Sequence, residues 1–293
     1  FALADNPRVV LPEEGYAPDE QKNNGYEIDA NASDVYLLVC RGNAAKLRKL
    51  YVELTGRAEL VRLSTLGNWN SRYYKYNQQE AEQMILDYEA HNVPLDNIVI
   101  DTDWRKASER GIGYEVDDVL FPDMAGYFKF AHEHGVDVMF NDHPEPQDGC
   151  TSCIDPKEVA YRTEHLAEHL DNGLDMWWYD RNWHTKLVSP VDGIAPETWG
   201  MYAFNEITKH TWQQKAKNKV VYRRPDMMSN VDNIRNGVYV GIGNSASHRY
   251  STQWTGDVGS SEHDLFDAVR QTVKCGDNCL PYVHPDCGGH TGN

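Results

Sequence analysis

The feature that most constrains the fold is an order repeated along the chain: a short apolar run, a polar stretch opening on Asp, His, Arg or Trp, then an amphipathic helix. Ile98-Val99-Ile100 runs into Asp101-Thr102-Asp103-Trp104, and Val136 to Phe140 into Asn141-Asp142-His143-Pro144. Met176 to Tyr179 runs into Asp180-Arg181-Asn182-Trp183. The helices between them announce their ends. Asn77 with Glu80 three residues on predicts a capping box, and Ala81, Met84, Ile85 and Tyr88 then mark one helical face. A helix near Met124 to His134 stops at Gly135, and Asp155-Pro156 with Glu158 opens another that ends at Gly173. Further strands are expected at Val61 to Leu66, at Val220 to Tyr222, within Val238 to Gln253 and at Leu280 to Val283. A helix over Leu265 to Val273 precedes the last of these.

Strand-helix alternation implies a parallel sheet, because a parallel neighbour is reached only through a crossover. A doubly wound open sheet is the weaker fit, since its Gly-rich phosphate turn after the first strand is missing. The closed eight-stranded barrel fits better, with about seven of its strands after Gly56. The expected fold class is therefore α/β, a (β/α)8 TIM-type barrel truncated at its C-terminal end by the stop at Asn293. Residues 1–55 are expected to be the tail of an N-terminal β-rich domain and a linker, including the apolar run Val35 to Cys40 and a short helix over Leu47 to Leu54. Residues 56–293 are the incomplete barrel. The opening Phe-Ala-Leu-Ala-Asp, with no Met and no apolar leader, reads as an excised or processed piece.

Charge narrows the partners. With 28 Lys and Arg against 45 Asp and Glu, the net charge of −17 argues against nucleic acid or an anionic membrane surface. No apolar run reaches the roughly 18 residues of a membrane-spanning helix. Eight Trp and seventeen Tyr suit a cleft that binds sugars through flat apolar faces edged by polar groups, although a well-packed core uses them too. Among six cysteines, Cys150 and Cys153 form a C-x-x-C, and Cys275 and Cys279 lie four apart near Cys287. They read as unpaired structural thiols, with a bridge or metal clip as the alternative.

The chemistry is legible by position. Strand after strand ends in Asp, His or Arg: Asp101 and Asp103, Asp142 and His143, Asp180, Arg223, Asp257, Asp286. A parallel barrel gathers its strand C-termini on one rim, so these groups should ring one pocket. Any single Asp is as readily a solvated loop group; repetition at one end of successive strands is what points to a site. Paired carboxylates suit hydrolysis of a glycosidic bond, one attacking the anomeric carbon and one protonating the leaving oxygen. Asp180, flanked by Trp177, Trp178, Tyr179 and Trp183, has apolar walls, and Asp257 sits in the turn Trp254-Thr255-Gly256-Asp257. His143 with Asp142 and Glu145 is a weaker candidate metal set, and no Gly-x-Ser-x-Gly elbow supports Ser-His-Asp catalysis. No metal or cofactor is expected.

Taken in order, these motifs resemble glycoside hydrolase family 31, the retaining α-glycosidases on a (β/α)8 barrel. The resemblance runs from Leu54-Thr55-Gly56-Arg57 through Leu66-Gly67, Ser71-Arg72, Asp101-Thr102-Asp103-Trp104, Asn141-Asp142-His143-Pro144 and Trp178-Tyr179-Asp180. It continues through Arg249-Tyr250 and Trp254-Thr255-Gly256-Asp257 to Asp286-Cys287-Gly288-Gly289. It implies Asp180 as nucleophile and Asp257 as general acid/base. It further implies Asp101, Trp178, Arg223 (with Arg224 beside it), Trp254 and Asp286 around the bound sugar; His143, a His-Pro at a strand end suited to positioning a hydroxyl, and Arg181, the cationic neighbour of Asp180, are read from the residues themselves as further sugar contacts. Arg181-Asn182-Trp183 stands where family α-glucosidases usually carry Met-Asn-Glu, and Trp-Trp-Tyr-Asp-Arg-Asn-Trp resembles the branch acting on α-linked N-acetylgalactosamine. An α-glucosidase, α-galactosidase or α-transglycosylase of the same family stays open, as does a carbohydrate-binding barrel without catalysis. The expected partner is an oligosaccharide or glycoconjugate, met outside the cytoplasm or in the periplasm by the full-length protein.

Overall fold

The computed structural model describes residues 2–5, 8–10, 27–29, 34–106, 113–180, 187–188, 196–218, 223–230, 234–235, 238–239, 247–250, 252–277 and 279–290. Near the start, β1 (Ala2–Asp5) pairs antiparallel with β4 (Asp34–Leu37), and β2 (Arg8–Val10) with β3 (Glu27–Asp29). Helix α1 (Ala44–Thr55) follows. Next come β5 (Trp69–Asn70), α2 (Gln78–Ala90), β6 (Asn97–Ile100), α3 (Met124–Glu133), β7 (Asp137–Asp142), α4 (Pro156–Asn172) and β8 (Met176–Tyr179). Then follow α5 (Pro196–Lys217), β9 (Met227–Asn230), the small ribbon β10 (Ile234–Arg235) and β11 (Val238–Tyr239), β12 (Thr252–Trp254), α6 (Glu262–Asp277) and β13 (Val283–His284).

Seven of these strands form one sheet in chain order, β5-β6-β7-β8-β9-β12-β13, every pairing parallel. The sheet is curled. In a flat sheet, six strand spacings would hold the outermost strands about 29 Å apart. Yet the Trp69 ring on β5 lies 5.3 Å from the His284 ring on β13. This is the TIM-type α/β architecture expected.

The strands are apolar on both faces, as a curled parallel sheet requires. Val99, Met139, Met176, Trp178, Met228 and Trp254 pack together inside the curl. Their chain neighbours Ile98, Ile100, Val138, Phe140, Trp177, Tyr179 and Met227 face the helices and join the larger core there. The helix starts follow the chemistry read from the sequence. Asn77 accepts from the Glu80 N–H at 3.0 Å while the Glu80 carboxylate accepts from the Asn77 N–H, also at 3.0 Å. Asp155 caps the helix that opens on Pro156, and Gly173 ends it at φ 127°, a conformation an L side chain rarely adopts. All six cysteines are free thiols, and burial pushes Cys153 up to about 12. No helix among the described residues is long and apolar enough to cross a membrane.

One strand expectation needs correction, and a second falls outside the described residues. Over Val61 to Leu66 the structure has a loop and a 3-10 turn (Ser64–Leu66), and the first sheet strand is Trp69–Asn70. The apolar run is not buried as a strand: Leu63 and Leu66 are 85% and 65% exposed, while Arg62 and Ser64 turn inward to Asp137 and Asp175. Residues 220–222 lie outside the described residues, and the fifth sheet strand is Met227–Asn230, beyond the Arg223-Arg224-Pro225 stretch.

Gly200 on α5 packs directly against Tyr179 of β8. A Cβ there would fall 2.3 Å from both Cζ and Oη of the fully buried Tyr179. Gly200→Ala should lower stability by about 1–3 kcal/mol, the range for overpacking a filled core. Urea unfolding checks this; an unchanged midpoint would mean that α5 and β8 separate freely.

Candidate active site

Side chains alternate along a strand, so within each strand parity decides which groups enter the curl. On β7, Met139 faces inward and so does Asn141, whereas Asp142 faces the helices. There the Asp142 carboxylate is fully buried, accepting from Arg105 Nη1 at 2.6 Å and from Tyr114 Oη at 2.5 Å. His143, just past the strand, turns back to the inside. Its Nε2 lies 3.0 Å from Asp180 Oδ2, and the Asn141 amide donates to the same oxygen at 3.3 Å. Of the metal set suggested by Asp142, His143 and Glu145, Asp142 is thus turned to Arg105 and Tyr114 while His143 is turned to Asp180.

One cavity of about 660 Å³ opens at the C-terminal ends of the strands. Asp101, His143, Trp178, Asp180, Trp254, Asp257 and Asp286 all line it. Residues 180 and 257, 77 apart in the chain, therefore border one hollow (257 − 180). The Trp178 and Trp254 rings meet edge to face at 4.7 Å and 83° on its wall. Asp286 accepts from the Trp254 indole N–H at 2.7 Å and from the Val258 N–H at 3.2 Å. Asp257 is half-exposed, with His290 Nε2 3.7 Å from its Oδ1.

Burial sets the electrostatics. It pushes Asp101 up to about 6, against the Thr102 N–H bond and the His143 charge that favour its ionised form. For His143 burial works downward, but the hydrogen bond and charge of Asp180, with the charges of Asp101 and Asp142, outweigh it and hold the imidazole above its ordinary value. Asp286 is raised by burial, opposed by its bonds from Trp254 and Val258. His284, partly buried with its Nε2 2.9 Å from Met228 Sδ, is held down at about 4 by desolvation.

Two expected members stand apart. Arg181 lies outside the described residues. Arg223 is not on the rim: it precedes β9 and sits at the N-terminal ends of the strands, donating to Asp137 at 2.6 Å and to Asp175 at 2.5 Å. Arg62, Ser64 and His132 join that cluster. Among the cavity residues that the sequence reading gave no role are Asn141, Met228, His284 and His290. Parity from Met139 reaches Asn141; His284 and His290 flank the Asp286 motif, and Met228 carries no polar signal at all.

Among the described residues two triplets bring possible metal ligands within 4.8 Å of one another: His132, Asp137 and Asp175, and Asp257, Asp286 and His290. The first already carries the Arg62 and Arg223 guanidiniums, and the second has Asp286 engaged by Trp254 and Val258.

The chain matches the family model described as the glycosyl hydrolases family 31 TIM-barrel domain over residues 58–148 and 142–293. It is 22% identical over 288 residues to an α-xylosidase of Emericella nidulans, covering 88% of this chain and 36% of that protein. It is 23% identical over 268 residues to an α-xylosidase of Saccharolobus solfataricus, covering 82% of this chain and 35% of that protein. It thus spans little more than a third of either relative's length. A solved α-xylosidase from Xanthomonas citri has the same fold, with a TM-score of 0.66 at 19% identity, over 90% of this chain and 32% of that one.

Asp101 yields a stability prediction. Its folded-state value, about 6, lies above the ordinary 3.8, so its ionisation disfavours the fold and the penalty grows as pH rises between those values. The full penalty is on the order of 3 kcal/mol. Asp101→Asn should therefore raise the urea midpoint near pH 8 and lose most of that gain near pH 4. An equal effect at both would contradict the burial of a charged Asp101.

Proposed function

The chain belongs to glycosyl hydrolase family 31, and from that premise we propose that it is the barrel of a retaining, exo-acting α-glycosidase with Asp180 as nucleophile and Asp257 as general acid and base. The observation that carries this reading is the shared cavity, with both carboxylates and the edge-to-face pair Trp178 and Trp254 on its wall. The half-exposed Asp257 can reach a leaving group and then water, while Asp180 is buried against Asn141 and His143.

In the first step a carboxylate oxygen of Asp180 bonds to the anomeric carbon as the glycosidic C–O bond breaks. The departing oxygen keeps the electron pair and takes the Asp257 proton. In the second step Asp257, now a carboxylate, takes a proton from water; the water oxygen bonds to the anomeric carbon and the Asp180 ester bond breaks. Two inversions leave the α-configuration. Asn141 and His143, both at Asp180 Oδ2, hold the nucleophile in place, and Asp101 is assigned to sugar hydroxyls.

For the sugar we propose a terminal α-N-acetylgalactosaminide of an oligosaccharide or glycoconjugate, on the motif from Trp177 to Trp183. An α-xyloside is the second reading, favoured by the names of the two curated relatives given above. The two sugars differ where a pocket can sense it: an acetamido group at C2 on one, no hydroxymethyl at C5 on the other.

A panel of nitrophenyl α-glycosides given to the full-length protein should show release from the N-acetylgalactosaminide. Release from the xyloside alone would replace the first sugar by the second. Asp180→Ala should lower turnover of whichever glycoside is cleaved by a factor on the order of 10⁴ or more. Undiminished turnover would remove Asp180 as nucleophile.

A further inference from the structure

Two loops on the cavity rim are stitched together. Strand β12 runs into the turn from Trp254 to Val258, which carries Asp257; β13 runs into the loop of residues 285–290. The Thr255 N–H donates to the His284 carbonyl at 3.2 Å, and the His290 N–H to the Val258 carbonyl at 2.7 Å. The loops leave no room between them: a Cβ on Gly289 would lie 2.6 Å from Ser260 Cα and 2.7 Å from the Gly259 carbonyl oxygen. Gly256, next to Asp257, has φ +80°, the left-handed region that lets the turn reverse.

The Asp286 side chain spans that turn. Its Oδ1 accepts from Trp254 and its Oδ2 from Val258, three residues before and one residue after Asp257. A single half-buried carboxylate thus ties both ends of the segment that carries the acid/base candidate. Hydrogen bonds to an ionised acceptor are the stronger kind, and two of them from one rigid side chain fix orientation as well as distance.

We propose that Asp286 is a positioning residue for Asp257: its two oxygens pin the turn from Trp254 to Val258 so that the Asp257 carboxyl meets the leaving-group oxygen. This rests on the reading of Asp257 as general acid and base. It gives Asp286 a different task from the sugar contact that the family resemblance implies.

The proposal has a signature that a loss of folding or of sugar binding lacks. A proton donor must be within hydrogen-bond reach of the atom it protonates, and a misplacement of about 1 Å costs on the order of 10²-fold. That loss falls only on leaving groups that need the proton. Fluoride departs without help, whereas the methoxide of a methyl glycoside does not. Because kcat/KM reports the steps through formation of the glycosyl-enzyme, it isolates this role from the later use of Asp257 as a base.

The test uses the full-length enzyme with the α-glycosyl fluoride and the methyl α-glycoside of the sugar that the nitrophenyl panel releases. Asp257→Ala serves as the reference, and Asp286→Ala is compared with Asp286→Asn, whose amide oxygen keeps one acceptor. Trp254→Phe, which deletes the indole donor and keeps an aromatic wall, covers the case in which Asp286→Ala fails to fold. We expect kcat/KM of Asp286→Ala on the methyl glycoside to fall on the order of 10²-fold, with the fluoride little changed. Asp286→Asn and Trp254→Phe should fall between it and the wild type. Equal losses on both substrates in the Asp286 variants, with Asp257→Ala discriminating strongly, would overturn the positioning role alone. No discrimination in Asp257→Ala would overturn the acid/base reading and the proposal with it.

Discussion

Everything in this molecule depends on parallel pairing of strands taken in chain order and curled until the first and last come into contact. Parallel order forces each strand to begin at the same end, so the loops that follow β6, β7, β8, β12 and β13 meet at the other. The contact between Trp69 and His284 shows how far the curl goes. Without it Asp180 and Asp257 would stand on separate stretches of a flat sheet. With it they border one sugar-sized hollow.

The two ends of the sheet treat charge in opposite ways. At the N-terminal ends, Asp137 and Asp175 are matched by Arg62 and Arg223 at salt-bridge distance, and Ser64, His132 and the Val138 N–H complete their hydrogen bonds. That is how buried charge is held for structure. At the C-terminal ends no guanidinium among the described residues is paired with Asp101, and burial drives its carboxyl toward the neutral form. Perturbed groups collected in a cavity are what an active site requires, and they are the part of the fold that costs stability. The His143 imidazole, raised by the carboxylates around it, is a counter-charge to Asp101 and Asp180 on this side.

Much of this was legible in the sequence, because strand ends are local. Asp101 and Asp180 follow directly on a β-forming or aromatic run and Asp257 stands three residues after Trp254, so position alone brings them to the rim. Arg223 was misread for the same reason: Val220-Val221-Tyr222 is the more β-like run, yet the sheet uses Met227–Asn230, which leaves Arg223 before a strand and not after one. Asn141 was within reach, since the period of two that turns Met139 inward also turns Asn141 inward and Asp142 away. The bonds of Asp286 to Trp254 and Val258 were not. They join groups 32 and 28 residues apart, and nothing local in Asp286-Cys287-Gly288-Gly289 announces them.

The account stands or falls on how closely two carboxylates approach across the cavity. A crystal structure of the full-length protein, with a sugar bound and both acids ordered, measures it directly. Nucleophilic attack by Asp180 requires the carboxyl groups of Asp180 and Asp257 to lie about 5–5.5 Å apart. A separation beyond about 6.5 Å would leave room for a water between Asp180 and the sugar, and would contradict a retaining mechanism through these two residues.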